Sequence, residues 1–156
     1  MLSFLREANT ARSVTDVFNH LDDLLGRGVF CDLFPVILTD RGSEFTDPSS
    51  IELDENGEYR TRIFYCDPQR SDQKGTCEVN HELIRKVLPK GTSFKDLTQD
   101  KVDLMMDHIN SYKRKKLKDR PPHQLFSFIY GSDVAEKLNS HLIAANDINL
   151  TPDLLK

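Results

Sequence analysis

No stretch of this 156-residue chain approaches 18 uninterrupted apolar residues, which argues against a transmembrane helix. The opening residues, MLSFLREANT, hold base and acid by residue seven and no small-residue cleavage site, so a secretory signal is not expected. Cysteine is scarce: Cys31, Cys66 and Cys77 are odd in number and have no framework spacing. That pattern suits free thiols in a reducing compartment better than disulfides. Also missing are a Gly-rich phosphate loop, a G-x-S-x-G nucleophile elbow, internal repeats and low-complexity tracts. The absences predict a soluble, intracellular chain with no membrane partner.

What is present suits a globule. Hydrophobic residues make up 38% and charged residues 29%, too apolar for a disordered chain, and the length suits one compact domain. The net charge of −4 conceals a division. Between Asp40 and Glu58 seven acids face one base, Arg41, whereas Lys113 to Arg120 carries six bases against Asp119. Such a split describes either a carboxylate-bearing region beside a polyanion-binding strip or two solvated surface segments.

The chain opens with Leu2, Phe4 and Leu5 at strand-like spacing. Val14, Val17, Phe18, Leu21, Leu24 and Leu25 then recur at helical spacing, with Ser13 or an earlier polar residue as cap and Gly26 at the C′ position. Phe34 to Thr39 (FPVILT) has the length and β-branching of a strand buried on both faces. Ser50–Leu53 and Tyr59–Cys66 flank an Asn56-Gly57 turn, the pattern of a hairpin. A second helix is expected from Thr76 to Leu88, with Val79, Leu83, Ile84, Val87 and Leu88 on one arc and Glu78 mid-helix on the polar side. Thr98 caps a helix bearing Val102, Met105, Met106 and Ile109; Pro121 and Pro122 open another through Tyr130, and Ser132 can cap a last one.

Three sets of residues carry possible chemistry. Asp40 ends a predicted buried strand and precedes Gly42, where open α/β sheets place ligand groups; it reads as a magnesium-binding carboxylate or as an ordinary turn aspartate. Glu78 gains meaning only if Asp40 approaches it, and is otherwise part of a solvated helix face. Cys66, Cys77 and His81 lack the close cysteine pairing of zinc sites and read as ordinary thiols and a surface imidazole. The run Lys113-Arg114-Lys115-Lys116-Leu117-Lys118-Asp119-Arg120 can neutralise phosphates without sequence preference, with Tyr112 as a stacking surface; the other reading is a solvated linker.

VILTDRGSEF (Val36–Phe45), FYCDPQRSDQKGTCEVNHELIRKVLPKGTSF (Phe64–Phe94) and HINSYKRKKLKDRPPHQLF (His108–Phe126), in this order, resemble the integrase-type core of insertion-sequence transposases, most closely the IS-thirty-like type. The resemblance spans roughly Leu2 to Tyr130. It implies an α/β, RNase H-like (retroviral integrase-like) fold and a DDE triad holding two divalent metals, Mg²⁺ or Mn²⁺. By matched motif Asp40 is the second triad carboxylate and Glu78 the third, both catalytic and metal-binding. In this chemistry two metals about 3.5–4 Å apart activate the attacking oxygen and stabilise the leaving one. Lys74 with Lys113, Arg114, Lys115, Lys116, Lys118 and Arg120 would hold DNA at transposon ends and target.

The departures matter as much. The first triad aspartate belongs to a strand that the resemblance puts upstream of MLSFLRE, so an N-terminally truncated, partial fold lacking its first strands is expected. Asp16, Asp22, Asp23 and Asp32 fall on or just after the first helix, the wrong element to replace it. Arg41 replaces the usual Asn, and Val79 another. Residues 1–130 would form the partial catalytic domain and 131–156 a helical C-terminal tail. The implied function is DNA strand cleavage and transfer, inactive in this chain alone; the alternatives are a DNA- or transposase-binding fragment without catalysis and a decayed remnant. A full-length transposase or a second copy would be the partner, in the cytoplasm at the nucleoid. The strand near Leu2–Leu5 would expose an unpaired edge, an association hazard.

Overall fold

The computed structural model describes residues 1–67 and 75–156, with residues 75–78 described by backbone alone. The chain divides into two compact units, residues 6–74 and residues 1–5 with 75–156.

In the first unit, helix α1 (Ala11–Leu25) starts from Thr10, three residues before Ser13. Thr10 Oγ1 accepts the Ser13 N–H at 3.2 Å and Ser13 Oγ accepts the Thr10 N–H at 3.4 Å, a reciprocal box that satisfies two otherwise orphaned donors. Val14, Leu21 and Leu25 are buried. Gly26, at φ 79°, ends α1 and starts α2 (Arg27–Leu33), a reversal in the left-handed region where a side chain would be strained. Strands β1 (Ile37–Thr39) and β2 (Ile63–Tyr65) pair in parallel, with Ile37 opposite Ile63, Leu38 opposite Phe64 and Thr39 opposite Tyr65. Val14, Ile51 and Ile63 form the core, flanked by Phe18, Ile37 and Phe45.

Two expectations fail here. The strand of FPVILT is three residues long and is not buried on both faces: Thr39 is buried, but Leu38 is 50% exposed and its partner Phe64 56%. Alternate residues of a strand point to opposite sides, and in this two-stranded sheet only the side bearing Ile37 and Ile63 meets the core. The expected hairpin keeps its turn but loses its upstream arm, since Ser49–Glu52 is a helix, α3. The Asp47 carboxylate accepts the Ser50 N–H at 3.3 Å and Pro48 precedes the first helical residue, so the Asp-Pro-Ser start acts as a helix signal. The turn itself forms: Asp54 Oδ1 accepts the N–H groups of Asn56 (2.9 Å) and Glu58 (2.8 Å), and Leu53 bridges Tyr59.

In the second unit, α4 (Gly75–Val87) and α5 (Gln99–Ser111) pack through Leu83, Val87, Met105, Met106 and Ile109. Val79, placed on the apolar arc by its spacing, is 45% exposed. Thr98 caps α5 as expected, accepting the Lys101 N–H at 3.4 Å. Helices α6 (Pro122–Tyr130) and α7 (Ser132–Lys137) follow, joined by Gly131, which rather than Ser132 occupies the α7 cap position. Residues 131–156 belong to the same unit as α4 and α5, and Leu150, Leu154 and Leu155 pack against its core.

Leu2–Leu5 is not a strand. Amide side chains of α5 take its backbone bonds instead: Asn110 pairs with both the Met1 amine (2.7 Å) and the Met1 carbonyl (2.8 Å). Gln99 likewise accepts from Leu5 N–H (2.8 Å) and donates to Ser3 C=O (3.0 Å). A segment so engaged offers no ladder edge. The molecule is thus a mixed helix–strand structure with a small parallel sheet, and no described helix is long and apolar enough to cross a membrane.

Candidate active site and nucleic-acid interface

Parallel pairing brings the carboxyl ends of β1 and β2 to one end of the sheet. Asp40 follows β1 directly and is exposed, and Cys66 N–H continues the ladder to Thr39 C=O at 2.8 Å. Asp40 Oδ1 accepts the Gly42 N–H at 3.2 Å, an Asx turn that leads into the short helical turn Ser43–Phe45. Tyr65 of β2 donates its hydroxyl to Phe45 C=O at 2.6 Å, tying that turn to the end of the sheet. A Cβ on Gly42 would collide with the Glu44 carboxylate and stand 3.1 Å from Asp40 Oδ1. The bare glycine therefore lets two carboxylates gather, a pairing that the spacing Asp-x-Gly-x-Glu encodes and the sequence reading missed.

Hard carboxylate oxygens are the donors magnesium and manganese prefer, so Asp40 with Glu44 beside it is chemically suited to a divalent cation. Among the described residues, no group of three or more His, Cys, Asp or Glu side chains is arranged to hold a metal ion. Glu78 is the fourth residue of α4, in its first turn and not mid-helix. Its side chain, like that of Cys77, lies outside the described residues, and so does Lys74. Asp40 belongs to the first unit and Glu78 to the second. Of the residues weighed for zinc, Cys66 is buried in the first unit and His81 exposed in the second.

The basic run is a closed loop and not a linker. Arg114 and Arg120 form an antiparallel bridge around the helical turn Lys115–Leu117, and Lys118 (φ 54°) and Asp119 (φ 57°) take left-handed conformations to close it. Lys113, Lys115, Lys116, Lys118 and Arg120 are exposed, as is Tyr112 beside them. Arg114 differs: it is partly buried, and its Nη1 donates to Asn80 Oδ1 of α4 at 2.6 Å.

Two further polar clusters escaped the sequence reading. Arg60, 4% exposed, donates to Ile51 C=O (2.8 Å), Asn19 Oδ1 (2.7 Å) and Asp22 (3.2 Å) and stacks over Phe30. Asp22 also meets Arg27, which reaches Asp54 at 3.2 Å. Asn19, Asp22, Arg27, Asp54 and Arg60 line a groove of about 800 Å³ in which neither Asp40 nor Glu44 takes part. Glu58 and Asn56 N–H groups hold the Asp54 carboxyl below the usual carboxylate range, against a smaller opposing effect of burial. On α5, Asp107, His108, Asn110 and Ser111 are buried; Asp107, His108 and Ser111, with Asp103, hold the strap that runs from Asn139 to Asn149.

No known family profile and no solved structure matches the chain. Similar proteins do exist. The transposase for insertion sequence element IS1086 of Cupriavidus metallidurans is 38% identical over 66 residues, 42% of this chain and 20% of that protein. Transposase InsI for element IS30A of Escherichia coli K12 is 38% identical over 64 residues, 41% of this chain and 17% of its own length. The transposase for element IS4351 of Bacteroides fragilis is 28% identical over 98 residues, 63% of this chain and 29% of its own. The chain spans about a fifth of the length of the first two. By these likenesses, and by the ordered motifs around Asp40, Glu78 and the basic loop, the chain is related to insertion-sequence transposases of the IS30 type.

Proposed function

We propose that this chain carries part of the DNA strand-cleavage and strand-transfer domain of a transposase, on an RNase H-like plan, with residues 131–156 as a C-terminal extension. The observation that carries the reading is Asp40, held in an Asx turn at the carboxyl end of a parallel strand within a motif that resembles those of such enzymes. Asp40 and Glu78 would hold Mg²⁺ or Mn²⁺. A bound cation would supply Lewis-acid polarisation of the phosphate and a more acidic attacking water. The Gly42 hydrogen bond orients the Asp40 carboxylate at the end of β1, while Lys74 and the exposed bases of the loop would neutralise DNA phosphates. Such a protein would work in the cytoplasm, at the nucleoid.

The matched motifs supply two of the three carboxylates the resemblance implies, and two carboxylates hold a pair of divalent metals far less well than three. The pure 156-residue chain is therefore expected not to cut DNA. A supercoiled plasmid incubated with it and Mn²⁺ should stay intact; nicking that Glu78→Gln abolishes would refute the inactivity. Single-cation binding is tested separately. Millimolar Mn²⁺ should broaden the Gly42 amide resonance, and Asp40→Asn should remove the effect; an unaffected Gly42 would sink the metal reading.

A second reading, DNA or transposase binding without catalysis, is favoured by the preformed loop with five exposed bases. It predicts salt-sensitive binding to any duplex in the absence of metal.

A further inference from the structure

Six bases in one loop invite the assumption that all six meet phosphate, and the structure sets one apart. Arg114 is the point at which the loop closes. Its C=O accepts the N–H groups of Leu117 (2.9 Å) and Asp119 (3.1 Å), and its own N–H donates to Arg120 C=O (3.3 Å). The side chain leaves the loop in the other direction and donates from Nη1 to Asn80 Oδ1 at 2.6 Å. Its Nε is buried without a partner among the described residues, and burial lowers the guanidinium's affinity for its proton, the mark of a group removed from water. A cation that engages phosphate by releasing counterions has to reach solvent, as Lys113, Lys115, Lys116, Lys118 and Arg120 do.

We propose that Arg114 is a positioning residue, not a phosphate contact: it anchors the basic loop to α4 through Asn80, so that the exposed cations are presented from a fixed backbone. The role rests on the nucleic-acid reading above and deepens it. Asn80 stands two positions beyond Glu78 on the same helix, so the anchor registers any DNA held by the loop against the helix that bears that carboxylate. Arginine suits this work because its planar fork reaches across while keeping a fixed geometry.

The test uses the full chain and two measurements. The first is hydrogen exchange at the Leu117, Lys118, Asp119 and Arg120 amides, all bonded within the loop. Arg114→Gln and Asn80→Ala should each speed their exchange about tenfold, and the double variant should do little more than either alone. The second is the affinity for a 30-base-pair duplex, measured across a range of salt concentrations. Arg114→Gln should weaken binding while leaving the salt dependence unchanged. Lys115→Ala and Lys116→Ala should each flatten the slope of log affinity against log salt by about one. The proposal is overturned if Arg114→Gln flattens that slope like a lysine variant and leaves the loop amides protected. If no version binds the duplex, the phosphate reading falls, and the exchange data alone uphold or overturn the anchor. Should Arg114→Gln fail to fold, Asn80→Ala still decides the same comparison.

Discussion

Arg60 illustrates how a single side chain can organise a unit. Buried, it satisfies two backbone carbonyls of the α3 region and two side chains of α1 while its guanidinium lies 5.5 Å from the centre of the Phe30 ring. Removing it takes a donor from Asn19 and Ile51 C=O and leaves Asp22 to its 3.5 Å contact with Arg27, and breaking a buried pair from one side costs about 3–5 kcal/mol. Arg60→Met should therefore lower the urea midpoint by that equivalent, and Arg60→Lys by roughly a third to a half as much, since an ammonium cannot reach several acceptors at once. A loss below about 1 kcal/mol in the Met variant would mean that the network is not structural. Nothing local in the sequence marks Arg60, because Asn19 and Asp22 lie 41 and 38 positions away. Asp40 was legible for the opposite reason: its turn depends on Gly42, two residues on.

At the scale of elements, α5 carries more than its apolar stripe. Met105, Met106 and Ile109 were readable from a 3.6-residue period, yet Asp107, His108, Asn110 and Ser111 are buried as well. The covering pieces are residues 1–5 on one flank and the strap on the other, bonded through His141 to Asp107, Ile143 to Ser111 and Asn149 to His108. His108 Nδ1 accepts the Asn149 N–H at 3.0 Å and so must be unprotonated. Burial lowers its pKa from the ordinary 6.5, with Asp107 and Asp147 opposing. The unfolded chain then takes up the proton first as pH falls. This contribution to stability is fully present above about pH 6.5 and is lost below it. The Met1 amine acts in the same direction, pushed down to about 6 by burial and by Arg114, so stability gained from it rises between pH 6 and 8. Urea midpoints should fall from pH 7.5 to pH 5, and His108→Gln, which keeps an acceptor for Asn149, should make the fall below pH 6.5 shallower. An identical profile in the variant would exclude His108 as the titrating group.

For the whole molecule, the association hazard expected at Leu2–Leu5 moves to β1. Ile37 N–H and Thr39 C=O bond toward β2, which turns the polar groups of Leu38 to the other edge, where no strand pairs among the described residues. Val36 and Leu38, and Phe64 across the sheet from Leu38, are each about half exposed and add apolar surface beside it. An edge with those features templates further strands. Light scattering should therefore grow with protein concentration, and Leu38→Lys, which places a charge on the exposed side, should suppress it; equal scattering by both would acquit the edge. By itself the sequence determined the helices α1, α4 and α5, the Asp54 turn, the approach to transposases and the motif positions of Asp40 and Glu78, since each is written in short-range spacing or in ordered motifs. The lengths of the strands, the exposure of Leu38, the helix at Ser49–Glu52, the burial of the polar face of α5 and the commitment of Arg114 to Asn80 were decided by tertiary structure. They depend on what packs against a residue from far along the chain, and no local pattern of hydrophobicity or charge contains that partner.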